Sequence, residues 1–133
     1  PRRYRRRMLL LLACSGPADD TAGNATIAIV SPTDEATVCG APLVVVTDVE
    51  NFTLVAPFGD TGTEPEPGTG HIDVALNGQE STDWMFGGET LTLPKVEDGY
   101  YQLRVELSNA DHTPIDPYAG DLIYITVDAT VCE

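Results

Sequence analysis

Two histidines and an aspartate are the residues of this chain best suited to chemistry. His71 and Asp73 stand two positions apart in the stretch 70–78, and His112 follows in a later segment. Two imidazoles and a carboxylate form a donor set that binds zinc or copper. They are therefore candidates for an open metal site, provided that the fold brings them together. The interpretation that the sequence favours is that they only form hydrogen bonds, with His112 ordering its loop and His71 pairing with a carboxylate.

A second cation site could be built from acidic side chains. Asp60, Glu64 and Glu66 lie in a segment rich in proline and glycine, and Asp116 lies in a later loop. Carboxylate oxygens are the ligands that calcium prefers. No regular spacing selects these four residues, so calcium is the weaker alternative to zinc or copper.

The elements that must position these side chains are strands. Residues 70–77 alternate between apolar and polar side chains and end in Asn77-Gly78, a hairpin turn signal. No window shows helical periodicity. The predicted strands cover residues 26–30, 43–55, 70–77, 83–86, 90–93, 100–107 and 122–127.

About seven short strands with turn signals between them predict an all-β fold, a single immunoglobulin-like β-sandwich. With 43–50 as strand B, 70–77 as C and 100–107 as F, the B–C and F–G loops bring His71 and His112 to one end. Tyr100 or Tyr101 is expected to form a tyrosine corner. Trp84 is expected to be partly exposed on an edge strand or a loop.

The N-terminus has the pattern of an export signal. Arginines precede the apolar run 8–13, as in secretory signal peptides. Leu-Leu-Ala-Cys at 11–14 resembles the lipobox of bacterial lipoproteins, which implies a signal peptide over 1–13 and a lipid on Cys14. It also implies export and a lipid anchor in the bacterial cell envelope, at the outer membrane or the cell surface. An ordinary cleaved signal peptide is the alternative. Residues 14–25 are small and polar and predict a flexible tether, so the folded domain is 26–133.

The remaining cysteines and the charge fit an exported protein. Cys39 and Cys132 form an even pair, which in an oxidising compartment predicts a disulfide, with two free thiols as the alternative. From Cys14 onward only Lys95 and Arg104 are basic, against all 21 acidic residues of the chain. Such a surface repels phosphate groups, so nucleic acid is excluded as a partner.

Two short motifs resemble those of uncharacterised exported bacterial lipoproteins with an Ig-like domain. Those proteins carry Gly-His-x-His and Asn-x-Asp-His-x-Pro. Here the matching residues are Gly-His-Ile-Asp at 70–73 and Asn-Ala-Asp-His-Thr-Pro at 109–114. The resemblance spans about 29–127 and implies an exported Ig-like domain, but no particular activity. Asp73 stands where the family has its second histidine.

The sequence favours a binding protein over an enzyme. It contains no Gly-x-Ser-x-Gly, no His-Glu-x-x-His and no phosphate-binding loop. We therefore expect no enzymatic activity, and a membrane-tethered binding or interaction module for a protein or glycan partner. The alternatives are a metal-binding domain that uses the two histidines and the carboxylate, and a structural subunit assembled by edge-strand pairing.

Overall fold

The computed structural model describes residues 24–55 and 68–132. The predicted signal peptide, most of the tether and the lipidation candidate Cys14 lie outside the described residues. So do Asp60, Glu64 and Glu66 of the calcium alternative. No helix within the described ranges has the length and apolar character needed to span a bilayer.

The described part of the chain folds into nine strands arranged in two sheets. The smaller sheet has the order β1-β3-β7, and the larger has the order β2-β9-β8-β5-β4, with β6 also paired to β5. A single turn of 3₁₀ helix, Ala129–Val131, follows the last strand. The strands are β1 Thr26–Ser31, β2 Ala36–Val38, β3 Leu43–Glu50, β4 Thr53–Leu54, β5 Thr69–Leu76, β6 Gln79–Phe86, β7 Thr90–Leu93, β8 Gly99–Asn109 and β9 Gly120–Val127.

The core lies between the sheets and follows from the alternation along each strand. On β8, Leu103, Val105 and Leu107 are fully buried, while the intervening Arg104 and Glu106 are only partly covered. Successive strand residues point to opposite faces, so the apolar set of each strand meets the other sheet. The opposite face of the larger sheet, called the outer face below, carries the polar set.

The strand arrangement confirms the predicted immunoglobulin-like sandwich. β3, β5 and β8 take the places of strands B, C and F, because β5 and β8 pair in one sheet while β3 lies in the other. The tyrosine corner is formed by Tyr101, whose hydroxyl donates to the carbonyl oxygen of Glu97 at 2.7 Å. Trp84 is half-buried on β6, an edge strand among the described residues, as predicted.

Some strand boundaries differ from those predicted. The predicted strand 43–55 is interrupted after β3 because Asn51 has a φ of 62°, and the chain resumes as the two-residue β4. β6 begins at Gln79 and not at Asp83, because the Asn77-Gly78 turn leads directly into it. β2 was not predicted, since three residues are too few to show an alternating pattern.

The predicted disulfide between Cys39 and Cys132 is present, with their Cα atoms 4.8 Å apart. Cys39 lies between β2 and β3, and Cys132 follows the 3₁₀ turn after β9. The bond spans a sequence separation of 93 residues. It therefore links the early and final strands of the sandwich covalently.

Candidate functional site

β5 carries the first two candidate residues on the outer face. Ile72 and Val74 are buried in the core, so His71 and Asp73 point away from it. Gly70 is required here because β5 and β8 approach closely. A Cβ at this position would collide with the carbonyl oxygen of Ser108. His71 is nevertheless 0% exposed, so other residues must cover it on the outer face.

Part of that cover comes from residues 110–119, called the His112 loop below. The ring of His112 meets the ring of His71 edge-on, with 5.1 Å between their centroids. An isolated bridge between Ser108 and Pro114 holds the returning chain near the end of β8. The structure therefore brings together the two histidines that the sequence singled out.

The turn that presents His112 is closed by local hydrogen bonds. The backbone N–H of His112 donates to the carbonyl oxygen of Asn109 at 2.9 Å. The backbone N–H of Asn109 donates in turn to the carbonyl oxygen of Thr113 at 2.7 Å. His112 itself has a φ of 72°, a left-handed conformation that is uncommon for residues other than glycine. The hydroxyl and then the backbone N–H of Thr113 bond to Asp111 and lower the pKa of its carboxyl.

Asp73 links His71 to Ser108. Nε2 of His71 lies 3.0 Å from Oδ1 of Asp73, and the hydroxyl of Ser108 donates to Oδ2 at 2.6 Å. Ser108 is fully buried and stands opposite His71 in the β5–β8 pair. Beyond this 3.0 Å contact with Asp73, neither ring nitrogen of the buried histidine has a hydrogen-bond partner.

The surroundings of Asp73 favour its charged form. Burial by itself raises the pKa of this carboxyl, but the contacts with His71 and Ser108 lower it, as do the charges of His71 and His112. The net effect is a pKa below the ordinary value. Asp73 is therefore an anion at neutral pH, placed between a buried imidazole and a buried hydroxyl.

A pocket of about 330 Å³ opens beside this cluster on the outer face. Met85 is the cross-strand partner of Asp73 in the β5–β6 pair, so both side chains lie on the same face. Glu80 at the rim is paired with Arg104 at 2.8 Å. The lining residues are Asp73, Val74, Glu80, Ser81, Met85 and His112.

The predicted metal ligands are neighbours, but they are not a preformed metal centre. Within the described ranges, no three His, Cys, Asp or Glu side chains are already placed to hold a metal ion. Asp116, from the calcium alternative, is exposed on the His112 loop. His71 and Asp73 present their two donor atoms side by side, while His112 contributes a ring at the surface of the pocket.

Sequence reasoning did not identify Ser108, Met85 or Glu80 as part of this site. Ser108 lies close to Asp73 because the register of β5 with β8 pairs it with His71. Met85 lies close to Asp73 because the register of β5 with β6 pairs these two residues. Alternation along β8 does place Ser108 on the same face as Arg104 and Glu106. That pattern was visible in the sequence, but the register that pairs Ser108 with His71 was not.

Comparison with known proteins bears on the fold. No protein-family model matches the chain, and no curated protein does. The chain is similar to the fibronectin(III)-like modules of Clostridium thermocellum CbhA, with 14% identity, a TM-score of 0.53 and coverage of 80% of this chain and 100% of the other. It also matches the PKD domain of human KIAA0319, with 17% identity, a TM-score of 0.38 and coverage of 87% and 92%. The first similarity supports the β-sandwich fold, and the second is too distant to carry an argument.

Proposed function

We propose that this chain is an exported, membrane-tethered Ig-like module that binds a partner on its outer face, next to the His112 loop. The observation that carries the proposal is the pocket on this face, bounded by β5, β6 and His112. Binding residues are often found on loops held by a rigid scaffold, and Ig-like domains place their loops in this way.

The surface around the pocket has features of a protein or glycan interface. Tyr118 is 57% exposed and Leu122 is 40% exposed, and the pairing of Leu122 with Arg104 places it on the outer face. Tyr118 lies nearby. Burial and then the charge of Glu106 raise the pKa of its hydroxyl, so it is neutral at physiological pH. Exposed tyrosine is common at interfaces.

Photo-crosslinking in the native host tests the binding surface. A photoreactive amino acid replaces Tyr118 on the outer face or, as the control, Val44, which is 43% exposed on the other sheet. We expect a discrete crosslinked product from position 118 and none from position 44. Equal products from both positions, or none from position 118, would contradict the proposed surface.

Export and anchoring are supported by Leu-Leu-Ala-Cys at 11–14 and by the disulfide, since disulfides persist in oxidising compartments. Mass spectrometry of the mature protein from native membranes should find Cys14 at the N-terminus with acyl chains attached. More than one chain is expected, because a single one anchors only marginally. Cys14→Ser is the control and should release the protein from the membrane fraction. An unmodified mature N-terminus in the wild type would overturn this assignment.

A further inference from the structure

We propose that His71, Asp73 and His112 bind one copper ion at the base of the pocket, with Met85 beside it. This inference concerns the purified chain and does not require a macromolecular partner. It therefore stands or falls separately from the proposed interaction surface.

The first argument is the state of His71. Buried polar atoms are almost always hydrogen-bonded, and an exception in a folded protein requires an explanation such as an absent ion. Apart from the 3.0 Å contact between Nε2 and Oδ1 of Asp73, neither nitrogen of this 0% exposed imidazole has a hydrogen-bond partner, and neither does that oxygen. A cation held between Nε2 and Oδ1 would satisfy both atoms.

The second argument is distance. Two ligand atoms at about 2.0–2.2 Å from one metal ion are about 3.0–3.5 Å apart, and Nε2 of His71 lies 3.0 Å from Oδ1 of Asp73. The ring of His112 meets that of His71 edge-on, with 5.1 Å between their centroids, so the second imidazole lies close to the same position.

One movement is needed to complete the site. The three side chains do not yet form a coordination set, so His112 must turn its ring toward the other two. His112 is exposed and lines the pocket, which leaves space for that rotation. The pocket also admits water or another ligand to the remaining coordination position.

The neighbouring residues favour copper over zinc or calcium. The hydroxyl of Ser108 fixes the second oxygen of Asp73, as outer-shell hydrogen bonds fix metal ligands. Imidazole and thioether ligands suit copper, and a given site binds Cu(II) more tightly than zinc in the Irving–Williams order, whereas calcium takes oxygen ligands. Met85 supplies a thioether on the same face as Asp73. Glu80 is paired with Arg104 and is not required as a ligand.

The test is a Cu(II) titration of the full chain, by competition with a chromophoric chelator, together with electron paramagnetic resonance. We expect one ion per chain, with hyperfine coupling to two imidazole nitrogens. His112→Asn should weaken Cu(II) binding at least tenfold and remove one nitrogen coupling. Asparagine tolerates a positive φ, so this variant keeps the turn. Ser108→Ala should weaken binding about 10- to 100-fold, as loss of an outer-shell partner does.

Asp111→Asn is the matched control. It removes one charge from the same loop and keeps the oxygen that accepts from Thr113, so Cu(II) affinity should stay within a factor of two of wild type. A parallel zinc titration should give weaker binding than copper. The proposal is overturned if wild-type binding is weaker than millimolar, if His112→Asn leaves it unchanged, or if the wild-type spectrum lacks coupling to two nitrogens. That spectrum decides the matter even where a variant fails to fold.

Discussion

Two adjacent tyrosines illustrate how alternation along a strand assigns different roles to identical residues. Tyr101 bonds to the backbone of Glu97 and packs against the core cluster. Tyr100 is 56% exposed, donates to Oε2 of Glu35 at 2.9 Å and stacks on Tyr124. The corner residue is therefore the one on the core side.

Removing the hydroxyl of Tyr101, which forms the tyrosine corner, should destabilise the protein more than removing the hydroxyl of Tyr100. Tyr101→Phe is expected to lower the free energy of unfolding by about 1 kcal/mol, the usual net contribution of a hydrogen bond. Tyr100→Phe is the control, and its exposed position predicts a change below about 0.5 kcal/mol. Urea denaturation of both variants measures the difference. Equal losses would show that the Tyr101–Glu97 bond has no special role.

Asp128 makes a second local contribution, and it depends on pH. The hydroxyl of Thr130, and then its backbone N–H, bond to the carboxylate and hold the pKa of Asp128 below the ordinary value. The folded-state pKa of Asp128 lies below its unfolded value of about 3.9. This carboxylate therefore stabilises the fold at pH values above the unfolded pKa. The contribution is lost as pH falls through the folded pKa.

Thr130→Val removes the hydroxyl and keeps the N–H, so the pKa of Asp128 should rise toward its ordinary value. NMR titration of the carboxyl carbon measures it. Thr92→Val, an exposed substitution on β7, is the control and should leave that pKa unchanged. A pKa unaffected by Thr130→Val would mean that the hydroxyl bond does not hold the carboxylate.

Among the elements, the β5–β6 hairpin matters most for the pocket. Asn77 and Gly78 have φ values of 52° and 81°, and positive φ at both central residues indicates a type I′ turn. The side chain of Asn77 also accepts from the backbone N–H of Gln102 on β8 at 2.8 Å. The turn therefore fixes the pairing of Leu76 with Gln79 and of Ala75 with Glu80, and Met85 comes opposite Asp73 only beyond a register shift in the hairpin.

Gly78→Ala should destabilise the protein by about 1–2 kcal/mol, the cost of a left-handed conformation for a residue with a Cβ. Added contacts do not contribute, because no atom lies within 4 Å of the new Cβ. Gly88→Ala is the control, since that site is equally open and has no positive φ. Denaturant midpoints of the two variants give the comparison, and equal midpoints would argue against the type I′ turn.

At the scale of the whole molecule, the disulfide is a covalent long-range restraint. Closing a loop of 93 residues contributes roughly 4–5 kcal/mol on the chain-entropy model. The double variant Cys39→Ala with Cys132→Ala should lose most of this in equilibrium denaturation. Cys14→Ser, which leaves the bridge intact, should keep wild-type stability and show no free thiol when titrated under denaturing conditions. Two free thiols in that variant would refute the bridge.

The sequence by itself determined the fold class, the strand faces and several turns. Period-two alternation at 70–77 and 100–107 is a local property, and so is the preference of Asn-Gly for positive φ. These features predicted which side of β5 faces the core and placed His71 and Asp73 on the other side. Loop clustering in Ig-like sandwiches then brought His112 to the same end.

Only the tertiary structure decided what surrounds those residues. The complete burial of His71, its unpaired nitrogens and the bond from Ser108 to Asp73 depend on strand register and on the path of the His112 loop. Met85 likewise joins the site through its pairing with Asp73. Alternation fixes the face of a residue but not its cross-strand partner, because partners are chosen by packing between segments far apart in sequence.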